Sequence, residues 1–171
     1  ETGDSATRKK LLEVLTEKDR TDCISQVLEE HLKSALPYEK NMDADIFVPY
    51  VLNPRVDDEV LQKYRKTILE QLSEEEKNML QKEPAKIWKW IEDKIVSSPE
   101  KERSSVITTP SGCLKTGTGS ILSKKILFVA MARTLGIPAR LNPHDRSMEY
   151  MKNGKFIPVS AETEKTASIL L

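Results

Sequence analysis

At 171 residues the chain is long enough to bury one core of ordinary size without metals or disulfide staples. Lys and Arg number 27, as do Asp and Glu, for a formal net charge of zero, so no bulk field favours nucleic acid or an anionic membrane as partner. No apolar run approaches the roughly 18 residues that a membrane helix requires, and membrane insertion is not expected.

Residues 1–6 read as a disordered end, and the Glu-Thr-Gly start resembles a processed terminus or a leftover of expression; no signal-peptide pattern is present. Residues 7–98 read as a helical portion. Leu11, Leu12, Val14 and Leu15 begin one apolar stripe, and Ile24, Val27, Leu28, Leu32 and Leu36 form a second that Pro37 stops. His31 lies on this second stripe and is expected at the border of the core. Asp57 suits the cap of a helix with Val60, Leu61, Tyr64, Ile68 and Leu72 inward. Ser73-Glu-Glu-Glu76 matches a capping box, predicting a short helix with Met79 and Leu80 inward. Pro84 fits the first turn of a helix carrying Ile87, Trp88, Ile91 and Ile95. Trp88 and Trp90 are two apart, so one is expected in the core and the other near the surface or against a neighbouring element.

Residues 99–171 read as a second portion, packed with the first into one compact domain. Acidic side chains outnumber basic ones in 1–100 and the balance reverses in 101–171, which suits mutual packing. Residues 99–120 are rich in Ser, Thr, Gly and Pro and read as a long surface loop. Thr116-Gly-Thr-Gly119 does not make a phosphate cradle, because no Gly-Lys-Ser/Thr follows and no strand precedes it. The apolar residues of 121–135 go almost all the way round a helix, predicting a buried central element closed by Gly136. Ala139–Asn142, Met148–Lys152 and Phe156–Val159 are strand candidates, and Asn153-Gly154 signals a two-residue hairpin. The fold class expected is therefore α+β, a helical N-terminal portion around a central helix followed by a small antiparallel sheet at 139–160.

Two cysteines, Cys23 and Cys113, are too few for a zinc site, and no metal or cofactor is expected. Joined, they would close a long loop worth roughly 4–5 kcal/mol in the chain-entropy model. The sequence leaves open whether they meet.

The stretch Ser123-Lys-Lys-Ile-Leu-Phe-Val-Ala-Met-Ala-Arg-Thr-Leu-Gly136-Ile-Pro-Ala-Arg140 resembles the central helix and first strand of transglutaminase-like, papain-related enzymes. Phe47-Val-Pro-Tyr-Val-Leu-Asn-Pro-Arg-Val-Asp-Asp-Glu59, followed by Tyr64-Arg65, resembles the helical segment preceding the catalytic core in exported bacterial members. Met148-Glu-Tyr-Met-Lys-Asn-Gly-Lys-Phe-Ile-Pro-Val159 resembles the hairpin bearing the family's histidine and acid. The resemblance implies a cysteine nucleophile opening the central helix, a histidine base on the next strand and an acid that holds the imidazole. The position matching the nucleophile is Ile121, Asp145 falls at the histidine position and Ser160 at the acid position. It also implies further strands after Val159, so a reduced version or a piece of a longer protein is expected.

Three readings follow. The leading one is a degenerate transglutaminase-like domain of an exported bacterial protein, extracellular or at the cell surface, with a non-catalytic binding or scaffold role and a protein or peptide ligand. Its groove would lie between the 99–120 loop, the start of the central helix and the hairpin, lined by Ser120, Leu122, Arg140 and Tyr150. The alternative is an active cysteine acyl-transferase or peptidase using Cys113 as nucleophile and His144 as base, one residue from the expected histidine. On a strand a one-residue shift turns a side chain to the other face unless a bulge intervenes. The third is purely structural, with Cys23 and Cys113 as a staple. Arg133 and Arg140 are expected to form ion pairs with the acidic helical part. Oligomeric state is outside the sequence's reach.

Overall fold

The order of elements follows the local signals in the chain. The computed structural model describes residues 2–17, 25–98 and 107–161. Helices α1 (Thr2–Val14) and α2 (Ser25–Ala35) come first, followed by a 3₁₀ turn at Leu36–Asn41, the single turn α3 (Ala44–Phe47) and a π-helical turn at Val48–Leu52. After an irregular stretch come α4 (Arg65–Gln71), α5 (Glu74–Lys82) and α6 (Lys86–Lys94). The strand β1 (Val96–Ser97), α7 (Pro110–Thr116), β2 (Thr118–Gly119) and α8 (Ile121–Thr134) lead into β3 (Ala139–Leu141), β4 (Met148–Lys152) and β5 (Lys155–Val159). β1 and β2 pair in parallel, while β3, β4 and β5 form an antiparallel sheet in that order. The architecture is the expected helical portion around a central helix with a small antiparallel sheet.

Helix α8 is the axis. Residues Ile126 to Ala132 are completely buried, which is why the apolar positions run round the whole helix instead of forming a stripe. The larger core gathers Ile68, Leu80, Ile87 and Ile91 from α4 to α6 against α8, with Ala139, Met148 and Tyr150 from the sheet. A separate cluster joins Leu11, Leu32, Ala35, Phe47, Val51 and Leu52 from the N-terminal layer. Two buried arginines link the layers. Arg65 donates from Nε to His31, from Nη1 to the Arg133 carbonyl at 3.1 Å and from Nη2 to the carbonyls of Val51 and Leu52. Arg133 donates to the carbonyls of Ala139 (3.0 Å), Asn53 (2.8 Å) and Arg55 (2.8 Å).

Several expectations are met locally. The capping box at Ser73 and Glu76 is complete in both directions. Asn153 and Gly154 both have positive φ, 53° and 75°, as a mirror-image two-residue turn requires. Gly136 ends the central helix with φ 80°, and a Cβ there would overlap the Tyr38 ring. His31 is not at the border of the core but wholly inside it.

Other expectations are corrected. The helix begins at Arg65 and not after Asp57, because the Glu59 carboxylate accepts the amides of Val56 (2.7 Å) and Asp57 (2.8 Å) and winds the segment into an irregular loop. Val60 is consequently 67% exposed. Met79 is exposed, and only Leu80 of that pair turns inward. Both tryptophans are buried, Trp90 donating to Glu76 Oε1 at 3.2 Å. Within the expected 99–120 loop, α7 and β2 are regular and Pro110, Ser111 and Cys113 are buried. The cause is local: Thr109 caps the helix by accepting the Gly112 amide, Pro110 occupies its first turn, and Gly117 closes it in the left-handed conformation. Arg133 bonds backbone carbonyls and Arg140 pairs with Glu149 of the adjacent strand, so among the described residues neither makes the expected pair with the acidic helices. Cys23 and its pairing lie outside the described residues.

The sheet edge is protected. The Met151 amide donates to Pro138, so alternate residues of β4 face β3, and Phe156 and Pro158 of β5 face the side where no described strand pairs. Pro158 offers no N–H there, which blunts pairing with another strand.

The replacement Gly136→Ala should lower stability by roughly 1–3 kcal/mol from the left-handed backbone alone, with a further loss from the Tyr38 overlap. Urea denaturation of Gly136→Ala in wild-type and Tyr38→Ala backgrounds separates the two, with a smaller loss expected once the ring is removed. Equal losses would show that the close approach has no energetic role.

Candidate functional site

The site is the start of α8. Ser120 caps the helix, its Oγ accepting the Ser123 amide at 3.1 Å and lying 2.9 Å from the Ser123 hydroxyl. The Thr108 amide donates to Ser123 Oγ at 3.0 Å, fastening the preceding segment to the first turn. Ile121 is the first helical residue and is 41% exposed, a hydrocarbon facing solvent on a helix that is buried from Ile126 to Thr134. Leu122 beside it is half-buried.

Helix α7 closes one side. Thr109 Oγ1 reaches Gln62 Oε1 at 3.0 Å and Ser111 Oγ donates to the Lys63 carbonyl at 3.2 Å, so α7 is strapped to the loop before α4. These bonds turn Cys113 inward, and it is fully buried. Its Sγ packs on Gly119, where an added Cβ would come within 3.0 Å, and the Ser123 side chain approaches the same point. The thiol therefore lies behind the helix start and not at its mouth.

His144 and Asp145 occupy the turn between β3 and β4, both exposed. Asn142 Oδ1 accepts the His144 amide at 2.9 Å, and Asp145 Oδ1 accepts the Ser147 amide at 2.9 Å. The bonds to Ser147, with some help from Lys125 of α8, hold the Asp145 carboxyl below the usual range. The turn is anchored over the helical part by Arg146, which lies 3.7 Å from Asp57. Cys113 is thus sealed and His144 solvated. Ser160 follows β5 and is exposed.

The four expected lining residues do not share a groove. Ser120 and Leu122 meet at the helix start, but Tyr150 belongs to the larger core. Arg140 follows Ala139, the partner of Tyr150 in the ladder, and so points to the opposite face of the sheet. There its Nε donates to Glu149 Oε2 at 2.7 Å, and the guanidinium stacks 4.0 Å from the centre of the Phe156 ring, beside Tyr50. Strand alternation is the reason the set divides.

Lys124 and Glu92 were missed. One position beyond Ser123, the Lys124 ammonium is buried, 2.6 Å from Glu92 and 3.1 Å from Ser97 Oγ, over the Trp88 ring. The signal was present in the sequence, because a lysine on a helix that is apolar all round must find an acid.

Residues 66–149 match the sequence model of the transglutaminase-like superfamily, a span from α4 to β4 that includes the whole of α8. Comparison with curated proteins and with solved structures gives no significant match. Over that span the chain is similar to transglutaminase-like proteins. Among the described residues no helix is long and apolar enough to cross a membrane.

At neutral pH iodoacetamide should leave Cys113 intact in the native protein and modify it once urea is added, as read by peptide mapping. Ile121→Cys should react in the native state with a titration midpoint below about 8.5, because the helix N-terminus favours the thiolate. Rapid native modification of Cys113 would contradict the packing described for it.

Proposed function

We propose that this transglutaminase-like domain has lost its acyl-transfer chemistry and serves as a non-catalytic binding or scaffold module of an exported bacterial protein. The observation that carries the reading is Ile121. Attack on a glutamine amide or peptide carbonyl needs a thiolate held at the helix N-terminus, and an isoleucine side chain has nothing to ionise. Two arrangements add support. The Cys113 thiol is enclosed between α7 and Gly119, and His144 stands in solvent on a turn fastened by Asn142. Neither supplies the exposed thiol and adjacent imidazole that the reaction requires.

The half-exposed Ile121 and Leu122, with the Ser120 and Ser123 hydroxyls, form the surface left at the helix mouth, suited to a protein or peptide ligand. The balanced charge argues against nucleic acid as that ligand. Placement outside the cell or at its surface rests on the resemblance of Phe47–Glu59 and Tyr64-Arg65 to exported members.

Ammonia release and amine incorporation with glutamine-containing peptides should stay at the level of the uncatalysed reaction. Turnover that vanishes in Cys113→Ala would overturn the reading in favour of a working cysteine enzyme.

A further inference from the structure

His31 stands at the joint between the two cores. It adjoins Leu32 of the smaller cluster, and its ring meets that of Tyr64 of the larger one edge-on, with centroids 4.6 Å apart. Nδ1 accepts from Arg65 Nε at 2.9 Å. Because an arginine can only donate, the ring proton is on Nε2, which donates to the Gln62 carbonyl at 3.0 Å. Both ring nitrogens are thus committed, and the bonding pattern admits only the neutral imidazole.

The charges around the ring offer a second proton little support. Burial first, and then the Arg65 and Arg133 guanidinium groups, depress its pKa to about 3. Among the described residues, Glu30 on the same helix and Glu59 before α4 are the acids acting on the Tyr64–Arg65 pair beside the ring, with Tyr38 from the 3₁₀ turn acting on Arg65. Glu30 Oε1 accepts the Lys66 amide at 2.7 Å while its Oε2 is buried without a hydrogen-bond partner among the described residues, and the Glu59 carboxylate accepts the amides of Val56 and Asp57. Among the described residues no carboxylate is in hydrogen-bond contact with His31 or Arg65.

We propose that His31 is an acid-sensitive latch: protonation of its ring releases the N-terminal layer, α1 to the π-helical turn at Val48–Leu52, from the transglutaminase-like core before that core unfolds. Protonation removes the acceptor for Arg65 Nε and sets a second positive charge 2.9 Å from the guanidinium. The same guanidinium holds the carbonyls of Val51 and Leu52 in the layer and that of Arg133 in the core, so disturbing it loosens the whole joint. The layer has its own apolar cluster and an internal bond from Thr7 to Glu39 at 2.7 Å, and can persist once detached. The direction follows from linkage: the docked state binds fewer protons than the released one. Docking is thus strongest above the ordinary histidine pKa of about 6.5 and weakens as pH falls from there toward 3.

Hydrogen exchange of the full chain, read by mass spectrometry from pH 7.5 to 4 and corrected for intrinsic rates, tests this. Protection of α2 and residues 44–52 should fall by about tenfold per pH unit below about 6.5, while α8, β4 and β5 keep theirs. In His31→Asn, whose amide oxygen can accept from Arg65 but does not titrate, that dependence should be flat. A second readout needs no variant, because the chain has only two histidines. The His31 ring resonance should change in step with the loss of protection, with exposed His144 for comparison. The latch is refuted if layer and core lose protection at the same pH, if His31→Asn retains the wild-type dependence, or if the ring protonates while the layer stays protected.

Discussion

Two guanidinium groups buried among carbonyl oxygens set the geometry on which the other features depend. Arg65 and Arg133 are at most 3% exposed, and a group that hardly deprotonates must bring its hydrogen-bond acceptors with it. Burial lowers the Arg133 pKa to about 10, which leaves it charged at neutrality. The acceptors are Val51 and Leu52 in a π-helical turn, Asn53 and Arg55 beyond it, Ala139 at the start of β3, and Arg133 at the C-terminal end of α8, whose carbonyl also accepts the Gly136 amide. Each arginine therefore resolves two difficulties at once, its own charge and the unpaired backbone of residues 51–55. The helix dipole adds to the arrangement, since the C-terminal end of α8 favours a cation.

Once the C-terminal end of α8 is fixed in this way, the place of its N-terminal end follows. Fourteen residues run from the arginine network to the surface, passing through the larger core. At the far end the buried Lys124 ties the first turn to Glu92 and Ser97, and Ser120 with Ser123 holds the strand and loop that precede it. The helix start is thus held in place down to its Ser120 cap. What it presents is Ile121. The first helical side chain at this end is therefore an exposed hydrocarbon on a firmly held helix start.

Features governed by neighbours in sequence were legible beforehand. The capping box at Ser73, the Asn153-Gly154 hairpin and the all-round apolar pattern of α8 each depend on residues within a few positions, and each is present as read. Features governed by distant partners were not. An ion pair was the natural expectation for Arg133, because nothing in a sequence marks an irregular carbonyl as an acceptor. The residues around Asp57 carried helical spacing, but Glu59 captured two amides and diverted the chain. Helix α7 is a different case. Thr109, Pro110 and Gly117 mark its two ends by ordinary capping chemistry, and the Ser, Thr and Gly content of the region concealed them. The candidate groove failed on strand alternation, which sends Tyr150 into the core and Arg140 to the outer face of the sheet.

The account stands or falls with the guanidinium network, and Arg133→Lys addresses it most directly, keeping the charge while removing the planar fork. Urea denaturation should show a loss of roughly 1–3 kcal/mol, because one ammonium near the Nη1 position can serve Asn53 and Arg55 but leaves the Ala139 carbonyl, bonded through Nε, without its donor. A change within about 0.5 kcal/mol, the range of an ordinary surface substitution, would contradict it.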